Sequence, residues 1–422
     1  DITTRKTSNL TQGILGYDTQ PQFSKTGTLA WLSMKRDGYE SDKNDIVVKT
    51  SAGMRNLTSE WDGTVNGFQW SLDGTQIFFN APVDGTIQLF QVAAEGGAVV
   101  QITKGDFDIT GMVGQVGNQM IVTRTDMNHA AELYSVNLKT GESAQMTYVN
   151  DATYKQIKLS KVERKYMTTT DNQKMLTWII YPPDFDPSKK YPTLLYCQGG
   201  PQSALSQFYS YRWNFQLMAA NGYIIVAPNR RGMPGHGVMW NEEISKDHGG
   251  QVMKDYLVAI DEFSKEPFVD KARLGCVGAS YGGYSVFYLA GIHEKRFKTF
   301  ISHDGIFNLK SMYGTTEELF FVNWDLGGPY WETSNAAAMK SYSQFDPSNL
   351  VAKWDTPILI YQGGKDYRVP IGQGLEAFQA AQLRGIKSKL VYLPNENHWV
   401  LSAQNALVWQ KEFFGWLKET LK

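Results

Sequence analysis

Residues 273–292 read RLGCVGASYGGYSVFYLAGI, and the six residues Gly278-Ala279-Ser280-Tyr281-Gly282-Gly283 decide the fold. A short apolar strand, Leu274 to Val277, runs into a G-x-S-x-G turn, and an apolar helix follows at once. Glycine two residues before and two residues after the serine lets strand and helix cross closely. The serine itself is forced into a strained backbone conformation. Its hydroxyl is expected above the carboxyl edge of a parallel sheet. The Tyr281 amide, at a helix N-terminus, is suited to a developing oxyanion.

Two further segments supply partners in a telling order. PILIYQGGKDYRVP (357–370) reads as a buried strand and a Gly-Gly turn that delivers Asp366, and KLVYLPNENH (389–398) as a strand and a loop that delivers His398. Ser280, Asp366 and His398 each follow a predicted strand in the chain order of an α/β-hydrolase triad. A serine hydroxyl attacks only when an imidazole takes its proton, and the imidazole needs a carboxylate to hold its tautomer. The other histidines fit less well: His293 follows the post-elbow helix, His303 ends a strand too early, and His236 and His248 precede the serine. PTLLYCQGGP (192–201) is a third strand ending in two glycines. It predicts an oxyanion hole made by the amides of Gly200 and Tyr281, with the Gln198 side chain as a contributor.

Residues 1–150 have a different texture, with short alternating strands broken by Asp-Gly and Gly-Gly turns. Asn56-Leu57-Thr58, Gln101-Ile102-Thr103 and Gln145-Met146-Thr147 recur at intervals of 45 and 44 residues. A period in the mid-forties, built of four short strands, is the signature of a β-propeller blade. From 151 onward strands alternate with helices, expected at Gln207–Ala220, Gln251–Lys265, Ile371–Leu383 and Ala403–Leu421. Two domains follow: a partial all-β propeller of about three blades over 1–150, and an α/β-hydrolase domain with a doubly wound sheet over 151–422. Three blades cannot close a ring. The chain, which starts at Asp1, is therefore expected to be a processed or truncated product whose open edges pair with missing blades or with a second copy.

Composition narrows the function. A net charge of −1 over 422 residues gives no electrostatic basis for binding nucleic acid or an anionic membrane. No apolar run reaches the ~18 residues of a membrane span. Cys197 and Cys276 lie on predicted core strands and make no disulfide framework.

GASYGGYS, the GGP loop, NRRGMPGHG (229–237), GGKDYRVP and the final ENH together resemble the prolyl oligopeptidase family of serine peptidases. The likeness is greatest to its branch of acylaminoacyl peptidases and bacterial dipeptidyl peptidase 5, strongly over 155–422. That branch has histidine before Gly-Gly-Pro where this chain has Gln198. The resemblance implies short peptide substrates, a propeller that screens out folded proteins, and no cofactor or metal. It suggests release of N-terminal dipeptides, preferring an uncharged residue at the cleavage position. The alternatives are an acylaminoacyl peptidase or oligopeptidase, a carboxylesterase, and a non-catalytic propeller binding protein. Arg230 and Arg231 match the family's R-G motif and are candidate substrate-binding residues, with pairing to carboxylates as the alternative. Trp324, Tyr330 and Trp331, in an aromatic insert, are candidate walls of an apolar pocket for the residue preceding the scissile bond. Alternatively they pack the insert onto the domain. The expected compartment is the periplasm or the exterior, with the cytoplasm as the alternative.

Overall fold

A computed structural model describes residues 2–421. Three four-stranded antiparallel sheets come first, running through Asp18–Phe23 to Gly53–Asn56, Gly67–Trp70 to Val100–Gln101, and Asp108–Val116 to Ser143–Gln145. Each is one of the repeats read from the sequence. Ile46, Val48, Phe68, Phe79 and Phe90 fill the core between the first two sheets, and Phe78, Leu89, Ile109, Met120 and Val136 that between the second and third. In such stacked blades each sheet buries one face against its neighbour.

The second unit holds eight strands: β1 (Val162–Thr168), β2 (Lys174–Ile180), β3 (Tyr191–Cys197), β4 (Ile224–Pro228), β5 (Val269–Ala279), β6 (Thr299–His303), β7 (Ile358–Gly363) and β8 (Ser388–Leu393). Their order is β1-β2-β4-β3-β5-β6-β7-β8. β1 and β2 run antiparallel as a hairpin, β2 pairs antiparallel with β4, and all pairings from β4 to β8 are parallel. Successive side chains of a strand point to opposite faces. Leu195, Cys197 and Cys276 accordingly join one core with helices Gln251–Phe263, Tyr281–Leu289 and Gly372–Leu383, while Leu194, Tyr196 and Val277 join the other with Phe215–Ala220 and Ala403–Thr420. The two cysteines are free and buried, their Sγ atoms 3.7 Å apart.

One expected helix is much shorter than its pattern. Residues 207–214 are irregular, and the helix begins at Phe215, where the Asn214 side chain accepts from the Leu217 amide at 2.8 Å. Asn at the cap satisfies a donor that the helix itself cannot. The preceding aromatic run instead turns Phe208 and Trp213 toward the catalytic edge.

The blades dock on the hydrolase domain through polar contacts. Asp108, fully buried, accepts from the Ser206 hydroxyl at 2.6 Å and from the amides of Ile87 and Gln207 at 2.8 and 3.2 Å. Arg164 of β1 donates to Asp84 and Asp106 and lies over the Trp178 ring. Burial pushes the Asp108 carboxyl up to about 6, because its ionised form loses water that the three donors only partly replace. With the folded value above that of the unfolded chain, this group's contribution is full below about pH 4 and is lost as pH rises through about 6. The melting temperature of the protein, minus that of an Asp108→Asn variant, is expected to rise by about 1–2 °C from pH 7.5 to 5. A flat difference across that range would show that Asp108 stays ionised at the junction.

Candidate active site

Ser280 sits between β5 and helix Tyr281–Leu289 with φ 60° and ψ −124°. A non-glycine residue there is strained by about 1–3 kcal/mol and persists only where its surroundings dictate it. They do. The Ser280 amide donates to the His303 carbonyl at 2.9 Å, and its carbonyl accepts from Tyr284 at 2.9 Å. A Cβ on Gly278 would lie 2.6 Å from the carbonyl oxygens of Cys197 and Gly282, so both glycines of the motif are demanded by one crossing point.

Asp366 and His398 arrive from the loops after β7 and β8. His398 Nδ1 lies 2.6 Å from Asp366 Oδ2, while Asp366 Oδ1 accepts from the amides of Arg368 and Val369, both at 2.9 Å. With its second oxygen held by two backbone donors, the carboxylate is fixed in place. The His398 loop is tied from three sides. Arg212 donates to the His398 carbonyl at 3.0 Å, the Lys365 amide donates to the Glu396 carbonyl at 2.8 Å, and the Glu396 side chain accepts from Leu401 and Ser402. Ser280 and His398 line one cavity of about 470 Å³, but no hydrogen bond joins them here. Hydrogen bonds of this kind often tighten only once substrate is held.

Gly199 and Gly200 form the facing wall. Gly200, at φ 121°, adopts a conformation open to glycine, and a Cβ on Gly199 would come within 3.3 Å of Ser280 Cβ. The loop therefore passes directly over the serine. Tyr281, first in its helix, has an amide with no carbonyl one turn back. The Tyr196 hydroxyl donates to Gln198 Oε1 at 2.8 Å, which leaves Nε2 as the donor end of that side chain.

Neither arginine reaches the cavity, which corrects their expected role. Arg230, fully buried, donates to the carbonyls of Gln198, Pro201 and Arg231 and to the Tyr256 hydroxyl, so it shapes the glycine loop from behind. Arg231 is paired with Asp171 at 2.7 Å and Glu243 at 2.6 Å, with Asp255 beneath it. Carboxylates nearby give a buried guanidinium better partners than a mobile substrate could.

The insert aromatics also lie elsewhere. Trp324 stacks on Tyr39 of the first blade at 4.8 Å, and Tyr330 and Trp331 pack on each other and on Tyr313. The aromatic walls are Tyr196, Phe208, Trp213 and Trp399 instead. Sequence reasoning missed these, together with Glu318 and Arg368, which pair at 2.9 Å across the cavity wall. Only the position of Trp399, next to His398, could have signalled one of them.

Comparison with known proteins comes to the same point. The model of the prolyl oligopeptidase family matches residues 209–422. The chain is 48% identical to dipeptidyl-peptidase 5 of Porphyromonas gingivalis over its whole length, covering 62% of that protein. It is 30% identical to dipeptidyl-peptidase 5 of Schizosaccharomyces pombe, with 95% of this chain and 59% of that protein covered. The chain thus spans about three fifths of these relatives. Among solved structures, an acylaminoacyl peptidase of Pyrococcus horikoshii superposes with a TM-score of 0.83 at 24% identity, over 94% of this chain and 62% of that one.

Proposed function

The chain belongs to the prolyl oligopeptidase family, and from that premise we propose that it acts as a serine exopeptidase that releases N-terminal dipeptides from short peptides. One observation carries the chemistry: His398, paired with Asp366 at 2.6 Å, lines the same cavity as the elbow serine. The dipeptidyl specificity rests on the 48% identity to dipeptidyl-peptidase 5.

The Asp366 carboxylate accepts a hydrogen bond from the Nδ1–H of His398, which fixes the tautomer and leaves Nε2 free as the base. Nε2 takes the Ser280 proton as Oγ bonds to the scissile carbonyl carbon, and the carbonyl oxygen becomes an oxyanion. The Tyr281 and Gly200 amides face that charge and strengthen as it develops. Collapse breaks the C–N bond, and the imidazolium gives its proton to the departing amine. Water, activated by the same base, then cleaves the acyl-enzyme and restores Ser280. Aromatic walls favour an uncharged side chain before the scissile bond. Glu318, the only carboxylate in the cavity wall among the described residues, is the group we assign to the substrate's α-ammonium, which would take the place of its Arg368 partner.

Matched dipeptidyl, acetyl-aminoacyl and simple ester chromogenic substrates test this with the full-length protein. The free-amine dipeptidyl compound is expected to be cleaved with at least about 100-fold higher kcat/KM than its blocked counterpart, a difference of about 3 kcal/mol. Preference for the acetylated substrate would make the protein an acylaminoacyl peptidase. Cleavage of the ester alone would make it a carboxylesterase.

A further inference from the structure

A second carboxylate stands behind the catalytic pair, and the catalytic sequence above does not use it. Asp304 follows β6 directly, one strand before the strand that delivers Asp366. It is fully buried, and polar atoms of Asp304, Asp366 and His398 all lie within 4.8 Å of one another. Its backbone has φ 45°, in the region that favours glycine, and is held there by the hydrogen bond that its N–H donates to the Tyr361 carbonyl at 3.0 Å. A strained residue kept in place by its neighbours marks a position where the side chain's direction matters. Asp304 Oδ1 accepts from the Gly363 amide at 2.9 Å, but Oδ2 is buried with no hydrogen-bond donor. His303 Nε2 is 3.0 Å from that oxygen without the alignment of a hydrogen bond. An orphaned buried carboxylate oxygen is costly, and structures seldom keep one without a use.

We propose that Asp304 is a positioning residue for His398, a second acid that steadies the imidazole together with Asp366 and takes over when the charge of Asp366 is removed. The proposal rests on the Ser280–His398–Asp366 reading. The groups that face Asp304 are Asp366 after β7, His398 after β8, His303 on β6, and Arg212 on the loop before helix Phe215–Ala220. Burial, and then the charge of Asp366, hold the Asp304 carboxyl well above the usual range. Neutralising Asp366 removes the like charge that opposes ionisation of Asp304, whose carboxylate then stands within 4.8 Å of the His398 ring nitrogen.

The test measures the rate at which a fluorophosphonate acylates Ser280, which reports nucleophile activation whatever peptide is preferred. Asp366→Asn is expected to slow labelling by only about 100-fold, where removal of a sole orienting carboxylate costs roughly 10⁴-fold. Protonation of the His398 base gives every variant an acidic limb, and that limb should be steeper in Asp366→Asn, where Asp304 must also stay ionised. Asp304→Asn alone should lose less than tenfold. The double variant should lose about 10⁴-fold, with only the ordinary limb of the base left. A structural role would not steepen the limb. Three results would overturn the proposal: a 10⁴-fold loss in Asp366→Asn with a limb no steeper than that of the unsubstituted protein, a double variant no slower than Asp366→Asn, or Asp304→Asn falling as far as Asp366→Asn. The first needs no substitution at Asp304, so it decides the matter even where Asp304 variants do not fold. Absence of labelling in the unsubstituted protein would instead sink the serine peptidase reading on which the proposal rests.

Discussion

Ser280→Ala is expected to lower kcat by about 10⁶-fold and to abolish labelling by organophosphonates, while leaving the melting temperature within a degree or two. The magnitude follows from what the serine does. Its Oγ is the atom proposed to form the bond to the acyl carbon, and only it sits on the strained elbow between β5 and its helix. Stability is spared because alanine keeps the Cβ, the φ of 60° and both backbone hydrogen bonds that hold the elbow. Residual turnover from bound water attacking the carbonyl would still benefit from the Gly200 and Tyr281 amides, so a remnant above background is part of the expectation. Labelling that survives in Ser280→Ala would move the nucleophile to another residue.

The second large effect is structural. Gly282→Ala places a Cβ 2.0 Å from the Cys197 carbonyl oxygen and 2.8 Å from its carbonyl carbon. Neither side can retreat. Cys197 ends β3, which is paired on both edges by β4 and β5, and Gly282 lies in the first turn of a helix whose every residue is buried. Overpacking of this kind against backbone exceeds the 1–3 kcal/mol usual for side-chain overlaps, so a loss of at least about 3 kcal/mol is expected. Chemistry is damaged with it, because Gln198-Gly199-Gly200 continues directly from the atom that must move. A melting curve and a labelling rate, measured on the same sample, should fall together. An unchanged melting temperature with full labelling would mean that strand and helix are not in contact at this glycine.

That contact explains why so much was legible in the chain. The spacing Gly278-x-Ser280-x-Gly282 encodes a steric requirement between elements adjacent in sequence, and a local requirement leaves a local signature. Asp366 and His398 were legible for a related reason: each follows a strand of β-branched and aromatic residues and a turn of Gly or Pro and Asn, so its place on the sheet edge follows from the strand before it. The blade repeats were visible because each blade is built from neighbouring hairpins. Helix Phe215–Ala220 was overestimated by eight residues because Phe208 and Trp213 are as compatible with a helix as with the cavity wall that they form. Propensity cannot tell a core from a pocket.

The arginines and the insert aromatics mark the boundary. Arg230 and Arg231 are adjacent in the chain, yet one braces the glycine loop and the other is locked among Asp171, Glu243 and Asp255. Their partners come from four separate segments, around Asp171, Gln198–Pro201, Glu243 and Asp255–Tyr256, and nothing near residue 230 announces them. Trp324 is spent on Tyr39, nearly three hundred residues earlier in the chain. By itself the amino-acid sequence determined the elbow, the order of the three catalytic candidates and the repeating blades, since each is a relation between neighbours along the backbone. Only the tertiary structure decided which aromatics line the cavity, which charges are already paired, and that Asp304 stands behind His398. Those are relations across the sheet, set by which strands lie side by side.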